Sequence, residues 1–134
     1  MSYRFVDTHC HFDFPPFTGD ETASIERAAK VGVEAIIVPA IQAARFEQVL
    51  QLVGGHPALY AALGLHPIVI ETHQERDLEV LEAALQARPE KLVAIGEIGL
   101  DLYRADPQFA RQEAILEAQL KLAKRYELPV ILHS

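Results

Sequence analysis

The sequence has little cysteine, no long apolar run and no excess of positive charge, and each shortage excludes something. Cys10 is the single cysteine, so no internal disulfide can staple the chain, and a reducing cytoplasm is the expected compartment. No apolar stretch reaches the ~18 residues that a membrane-spanning helix needs, so no membrane association is expected. The opening Met1-Ser2-Tyr3-Arg4-Phe5-Val6 is interrupted by Asp7 too early for the apolar segment of a signal peptide. No Gly-x-Gly-x-x-Gly loop follows the first apolar run, which disfavours a dinucleotide-binding fold. The formal net charge is -7, so the protein gains nothing from general attraction to a phosphate backbone. That excludes a protein that coats duplex DNA, but it is compatible with a nuclease whose cations sit in its site.

What is present is a globular composition: 134 residues, 50% hydrophobic and 23% charged, with one domain as the natural reading. Short apolar runs alternate with helical patterns. Tyr3 to Val6 reads as a first strand. A helix follows over Asp20 to Val31, with a capping box from Thr18 to Glu21 and Gly32 as its stop. Ala35-Ile36-Ile37-Val38 is a second strand, apolar throughout as in a parallel strand covered on both faces. Phe46, Val49, Leu50 and Val53 form a helical stripe that Gly54-Gly55 ends. Leu59 to Leu63 is a third strand, and Leu78, Leu81 and Leu85 mark a third helix closed by Pro89. Leu92 to Ile95 is a fourth strand. Asp106-Pro107 reads as a cap with proline in the first turn, opening a fourth helix that runs to about Tyr126 with Leu116, Leu120 and Ala123 on one face. Val130-Ile131-Leu132 starts a fifth strand.

Strands linked by helical crossovers form a parallel α/β sheet. A complete (β/α) barrel has eight strands and roughly 250 residues. The chain therefore reads as a truncated barrel over residues 1–134, with its first five strands and four helices. The open edge of the fifth strand is expected to promote self-association.

The residues that carry chemistry lie at strand ends. His9 and His11, in Asp7-Thr8-His9-Cys10-His11, are two apart, and in extended backbone residues i and i+2 point to one side. Two imidazoles on one point suit a divalent cation; the bland reading is a pair of histidines on a solvated strand end. Cys10, between them, should face packing. Glu97, in Gly96-Glu97-Ile98-Gly99-Leu100-Asp101, directly follows an apolar strand. A carboxylate buried there needs a cation, and the flanking glycines allow close backbone approach; otherwise it is a solvated turn residue. Asp101 could orient the Glu97 loop, touch a group behind the ligands or cap a turn.

His133 ends the fifth strand. Alone it is unremarkable, but ligand-type residues at the C-terminal ends of three strands coincide with the place where barrel sites are assembled. His66, in Gly64-Leu65-His66-Pro67, lies at the same rim and would contact substrate phosphate or a water, or simply be held by the proline turn. His56 and His73 read as surface residues. Arg104 and Arg111 could meet a phosphate or be solvated.

In that order along the chain, Asp7 to His11, Gly64 to Pro67, Gly96 to Asp101 and Pro129 to Ser134 resemble the TatD family of metal-dependent hydrolases. The run from Asp7 to Phe17 is most similar to its YjjV-type subgroup. The resemblance implies a TIM-like barrel and two divalent cations (Zn, Mn or Mg). His9 and His11 would hold one, Glu97 would bridge the pair, and His133 would help hold the other. It implies deoxyribonuclease activity, often from the 3′ end, on DNA or another phosphodiester. The family pattern adds a histidine from a sixth strand and an aspartate from an eighth, the latter the natural activator of water; neither is among these residues. Two other readings use the same residues: an amidohydrolase-like enzyme cleaving amide bonds, and an inactive half-barrel that only self-associates.

Overall fold

A computed structural model describes residues 3–134; Met1 and Ser2, part of the opening stretch read above as no signal peptide, lie outside the described residues. Five strands carry the chain: β1 (Phe5–Asp7), β2 (Val33–Pro39), β3 (Leu59–Leu63), β4 (Leu92–Gly99) and β5 (Val130–His133). They pair in the order β1-β2-β3-β4-β5, every neighbour parallel. The helices between them are α1 (Glu21–Lys30), α2 (Phe46–Gly54), α3 (Glu75–Ala87) and α4 (Phe109–Tyr126). A doubly wound sheet reverses its strand order at a switch point. This order never reverses, so right-handed crossovers place every helix on one face, as in part of a barrel wall. No helix is long and apolar enough to cross a membrane.

The core follows from period-2 alternation in the strands. Ile36, Val38, Leu59, Ala61, Leu63, Ile95 and Ile98 face Val49 and Val53 of α2, Leu81 and Leu85 of α3, and Leu122 and Ala123 of α4. Ile37 lies on the other face, where with Thr8, His9, Val93 and Ile131 it lines a cavity of about 520 Å³. The expectation of strands covered on both faces is therefore met on one face only; among the described residues Val6 and Leu132 remain 53% and 56% exposed.

β1 and β2 shift by one to two residues from the sequence reading; β4, α4 and one expected cap differ for physical reasons. β4 runs on to Gly99 because Gly96, Ile98 and Gly99 pair with Ile131, Leu132 and His133; Glu97 thus sits in the strand and does not follow it. α4 begins at Phe109, after the Asp106-Pro107 pair. Gln108 adopts left-handed backbone (φ 48°), and the Gln112 side chain takes the Pro107 carbonyl (2.6 Å), so neither residue can enter the helix. The box from Thr18 to Glu21 is not formed: Glu21 accepts from the Gly19 N–H (3.1 Å).

Candidate metal centre

The segment after β1 is held by packing and by a continued ladder. The Cys10 N–H donates to the Ile37 carbonyl (3.1 Å), and Cys10 packs against the core, as the alternation predicts. Phe12 is buried and stacks on Phe17 at 4.8 Å; burying such a ring contributes about 2 kcal/mol. With Cys10 and Phe12 turned inward, His9 and His11 face the rim. Next to them, the buried carboxylate of Asp13 accepts from Arg45 Nη2 (2.9 Å), and the Arg45 guanidinium lies 4.2 Å over the Phe14 ring.

Glu97 is 2% exposed, and its two oxygens face different partners. Oε1 lies 2.7 Å from His9 Nε2 and 2.9 Å from His11 Nε2. Oε2 lies 2.9 Å from His133 Nδ1 and 3.1 Å from His66 Nε2. Small residues bring the strands close enough. A Cβ at Gly96 would stand 2.7 Å from Ile131 Cβ, and one at Gly64 would stand 2.8 Å from the Gly96 carbonyl carbon.

Hydrogen bonds on the far side of the rings fix what each imidazole presents. The Ile68 N–H donates to His66 Nδ1 (3.0 Å), so a neutral His66 carries its proton on Nε2 and turns an N–H toward the site. His133 Nε2 donates to Asp101 Oδ2 (3.0 Å), which leaves Nδ1, on the Glu97 side, as the nitrogen that would meet a cation. A carboxylate behind a histidine is the arrangement that orients metal-ligating imidazoles. Asp101 Oδ1 also accepts from the Tyr103 N–H (2.9 Å); that bond and the one from His133 hold its carboxyl below the usual range. Of the roles considered for Asp101, capping a turn is observed, and the group it touches is a candidate ligand itself, His133.

Burial pushes the Glu97 carboxyl up, but hydrogen bonds from His11, His66 and His9 outweigh it and hold the group well below the usual carboxylate range. The bond to Glu97 in turn raises His11. Ionised Glu97 and Asp101 thus supply two carboxylates to a pocket lined by four imidazoles. His9, His11 and Glu97 form one group whose ligand atoms lie within 4.8 Å of one another, and His66, Glu97 and His133 form another. Mixed nitrogen and oxygen donors fit a divalent cation such as Zn or Mn. On proton placement, His66 fits the second group as a donor and His133 as a ligand.

Every site residue named from the sequence, His9, His11, His66, Glu97 and His133, is thus brought to one point. The arginines are not. Arg104 pairs with Glu71 and the Ile68 carbonyl, and Arg111 donates to the Ile70 carbonyl (3.1 Å); both brace the turn Pro67–Thr72. His73 is a correction: it is not a surface residue but 1% exposed, with Nε2 donating to the His66 carbonyl (2.7 Å). Burial lowers its pKa, so the ring is held neutral. His56 is half-buried, its carbonyl accepting from Lys91 (2.6 Å). Sequence reasoning missed Asp13 and Arg45, and also Gln112 and Gln119, whose spacing of seven on an otherwise apolar helix face was the available signal.

Residues 6–134 match the family described as TatD related DNase. The chain belongs to that family. It is 63% identical over 134 residues to the metal-dependent hydrolase YjjV of Escherichia coli K12, covering 100% of this chain and 52% of that protein. It is 36% identical over 118 residues to the 3'-5' ssDNA/RNA exonuclease TatD of Edwardsiella piscicida, covering 87% of this chain and 45% of the other. With the human deoxyribonuclease TATDN3 it shares 34% over 143 residues, covering 96% and 51% of the two chains. The crystal structure of E. coli YjjV superposes with a TM-score of 0.94 at 63% identity, covering 98% of this chain and 51% of that one. The chain spans about half the length of the curated relatives it matches, and the fold described above is half of this family's barrel.

Proposed function

We propose that the protein is a divalent-metal-dependent hydrolase of phosphodiester bonds, acting as a 3'-5' deoxyribonuclease in the cytoplasm. The observation that carries this reading is the division of Glu97: one oxygen toward His9 and His11, the other toward His133 and His66. A carboxylate so placed would serve two cations, with His9 and His11 holding one and His133 helping to hold the other. Zn, Mn or Mg bound there would supply a nucleophile near neutral pH and charge to clamp the attacking and leaving oxygens, the requirements of phosphodiester cleavage. The chain's own groups do the rest. Glu97 stays ionised under burial and sets the spacing of the two ligand sets. Asp101 keeps His133 Nδ1 aimed inward. His66, whose Nε2 stands 3.1 Å from Glu97 Oε2, is the proposed substrate-facing group, its N–H becoming available to a phosphate oxygen only when cations take up the carboxylate. The names of the nuclease relatives support DNA as substrate and the 3′ end as the start.

The test is hydrolysis of single-stranded oligonucleotides labelled at either end, with Mn2+ added, beside a panel of cyclic amides. Metal-dependent shortening from the 3′ end, abolished in Glu97→Gln, is the expected outcome. Turnover of amides without turnover of DNA would instead identify an amidohydrolase-like enzyme. Self-association is a separate proposal: β5 pairs only with β4 among the described residues, and Leu132 is exposed on it, an edge that invites a second copy.

A further inference from the structure

We propose that Gln112 and Gln119 are positioning residues that make α4 a strut for the Glu97 Oε2 side of the site. This inference rests on the reading of Glu97 as a bridge between two ligand sets. Gln119 is fully buried. Its Oε1 accepts from the Leu65 N–H (2.7 Å) and its Nε2 donates to the Leu65 carbonyl (3.3 Å). One carboxamide thus takes both backbone polar groups of the residue before His66. Gln112, 1% exposed, repeats the arrangement on Asp101: Oε1 accepts from the Asp101 N–H (2.8 Å) and Nε2 donates to the Asp101 carbonyl (2.9 Å).

A carboxamide carries a donor and an acceptor side by side in one plane without a charge, so it can close on the N–H and the carbonyl of one residue together. The two glutamines are seven residues apart, about two helical turns, so one face of α4 fixes the spacing of the loops after β3 and β4. Leu65 leads into His66, and the Asp101 carboxylate holds His133. The two imidazoles that these residues lead to or hold, His66 and His133, are the ones facing Glu97 Oε2. The His9 and His11 side hangs on a different support, the loop after β1 with its Asp13–Arg45 pair.

This division makes the role selective. Gln112→Met and Gln119→Met keep nearly the same volume and remove both hydrogen bonds. In the metal-free chain, imidazole 15N spectra read the proton position of each histidine. Gln112→Met should shift the His133 Nε2 signal, because Asp101 is no longer held against it. Gln119→Met should likewise shift the His66 signals, and neither should move His9. In a Zn2+ titration, Gln112→Met should weaken the site on the His133 side by up to about tenfold, the low end of the effect of removing an outer partner because Asp101 itself remains, and leave the His9/His11 site within about twofold. Gln112→Leu and Gln119→Leu, which also remove both hydrogen bonds without burying a charge, should show the same selectivity and guard against misfolding of the methionine variants. Signals that all move together, signals that do not move, or failure of both pairs to fold would overturn the inference in favour of general packing. Wild-type protein that binds no cation while the 15N selectivity holds would sink the metal-centre reading and leave the strut standing.

Discussion

His11 and Glu97 shape each other, and the consequence is measurable. Because Glu97 accepts its hydrogen bond, His11 holds its proton above the ordinary imidazole value of about 6.5. A cation must displace that proton, so affinity at the His9/His11 site falls as pH drops through the raised His11 value, starting at higher pH than at an ordinary histidine site. Glu97 stays ionised throughout, being held below the carboxylate range. Zn2+ titrations from pH 8 to pH 6 should show a loss of about tenfold per unit once one proton is displaced; a flat profile would contradict the coupling. Asp13 offers a second residue-scale prediction. Asp13 is buried and Arg45 half-buried, so Asp13→Ala removes a charged hydrogen bond and leaves a part-solvated guanidinium, and should cost about 1–2 kcal/mol in a denaturant melt. A change within experimental error would show that the pair does not hold the loop.

At the scale of elements, close approach of β3, β4 and β5 sets the site. Gly64→Ala would force its Cβ against the Gly96 backbone, where no flexible side chain can yield. It should destabilise by about 1–3 kcal/mol, the usual cost of overpacking, and weaken binding at both halves of Glu97. A variant as stable as the parent would mean that the strands can spread. The same strands show what the sequence made legible. β3 has the predicted bounds because Leu59 to Leu63 is a plain apolar run between turn signals. β4 was cut short because Gly96 and Glu97 look like a turn, and only their pairing with β5 shows otherwise. His73 was misplaced because nothing local distinguishes a histidine bonded to a distant carbonyl from a solvated one. His9, His11, Glu97 and His133 were legible because each stands at or near the C-terminal end of a strand, which the alternation of elements reveals. Asp13–Arg45 and the two glutamines were not, since their meaning lies in contacts across 32 residues and across 54.

For the whole molecule, the unreversed strand order gathers side chains from four strand ends at one rim and leaves the opposite sheet face lined by Ile37 and Ile131 open among the described residues. Exposed Val6 and Leu132 at the two edge strands should drive concentration-dependent association in light scattering; a stable monomer at high concentration would show that these edges are protected. The rim itself is a single claim about cations. Crystals soaked in Mn2+ and measured at the manganese edge test it directly. Two anomalous peaks are predicted, about 3.5–4 Å apart, one among His9, His11 and Glu97 Oε1 and one between Glu97 Oε2 and His133. A lone peak held by His66 Nε2, or none at Glu97, would contradict the account.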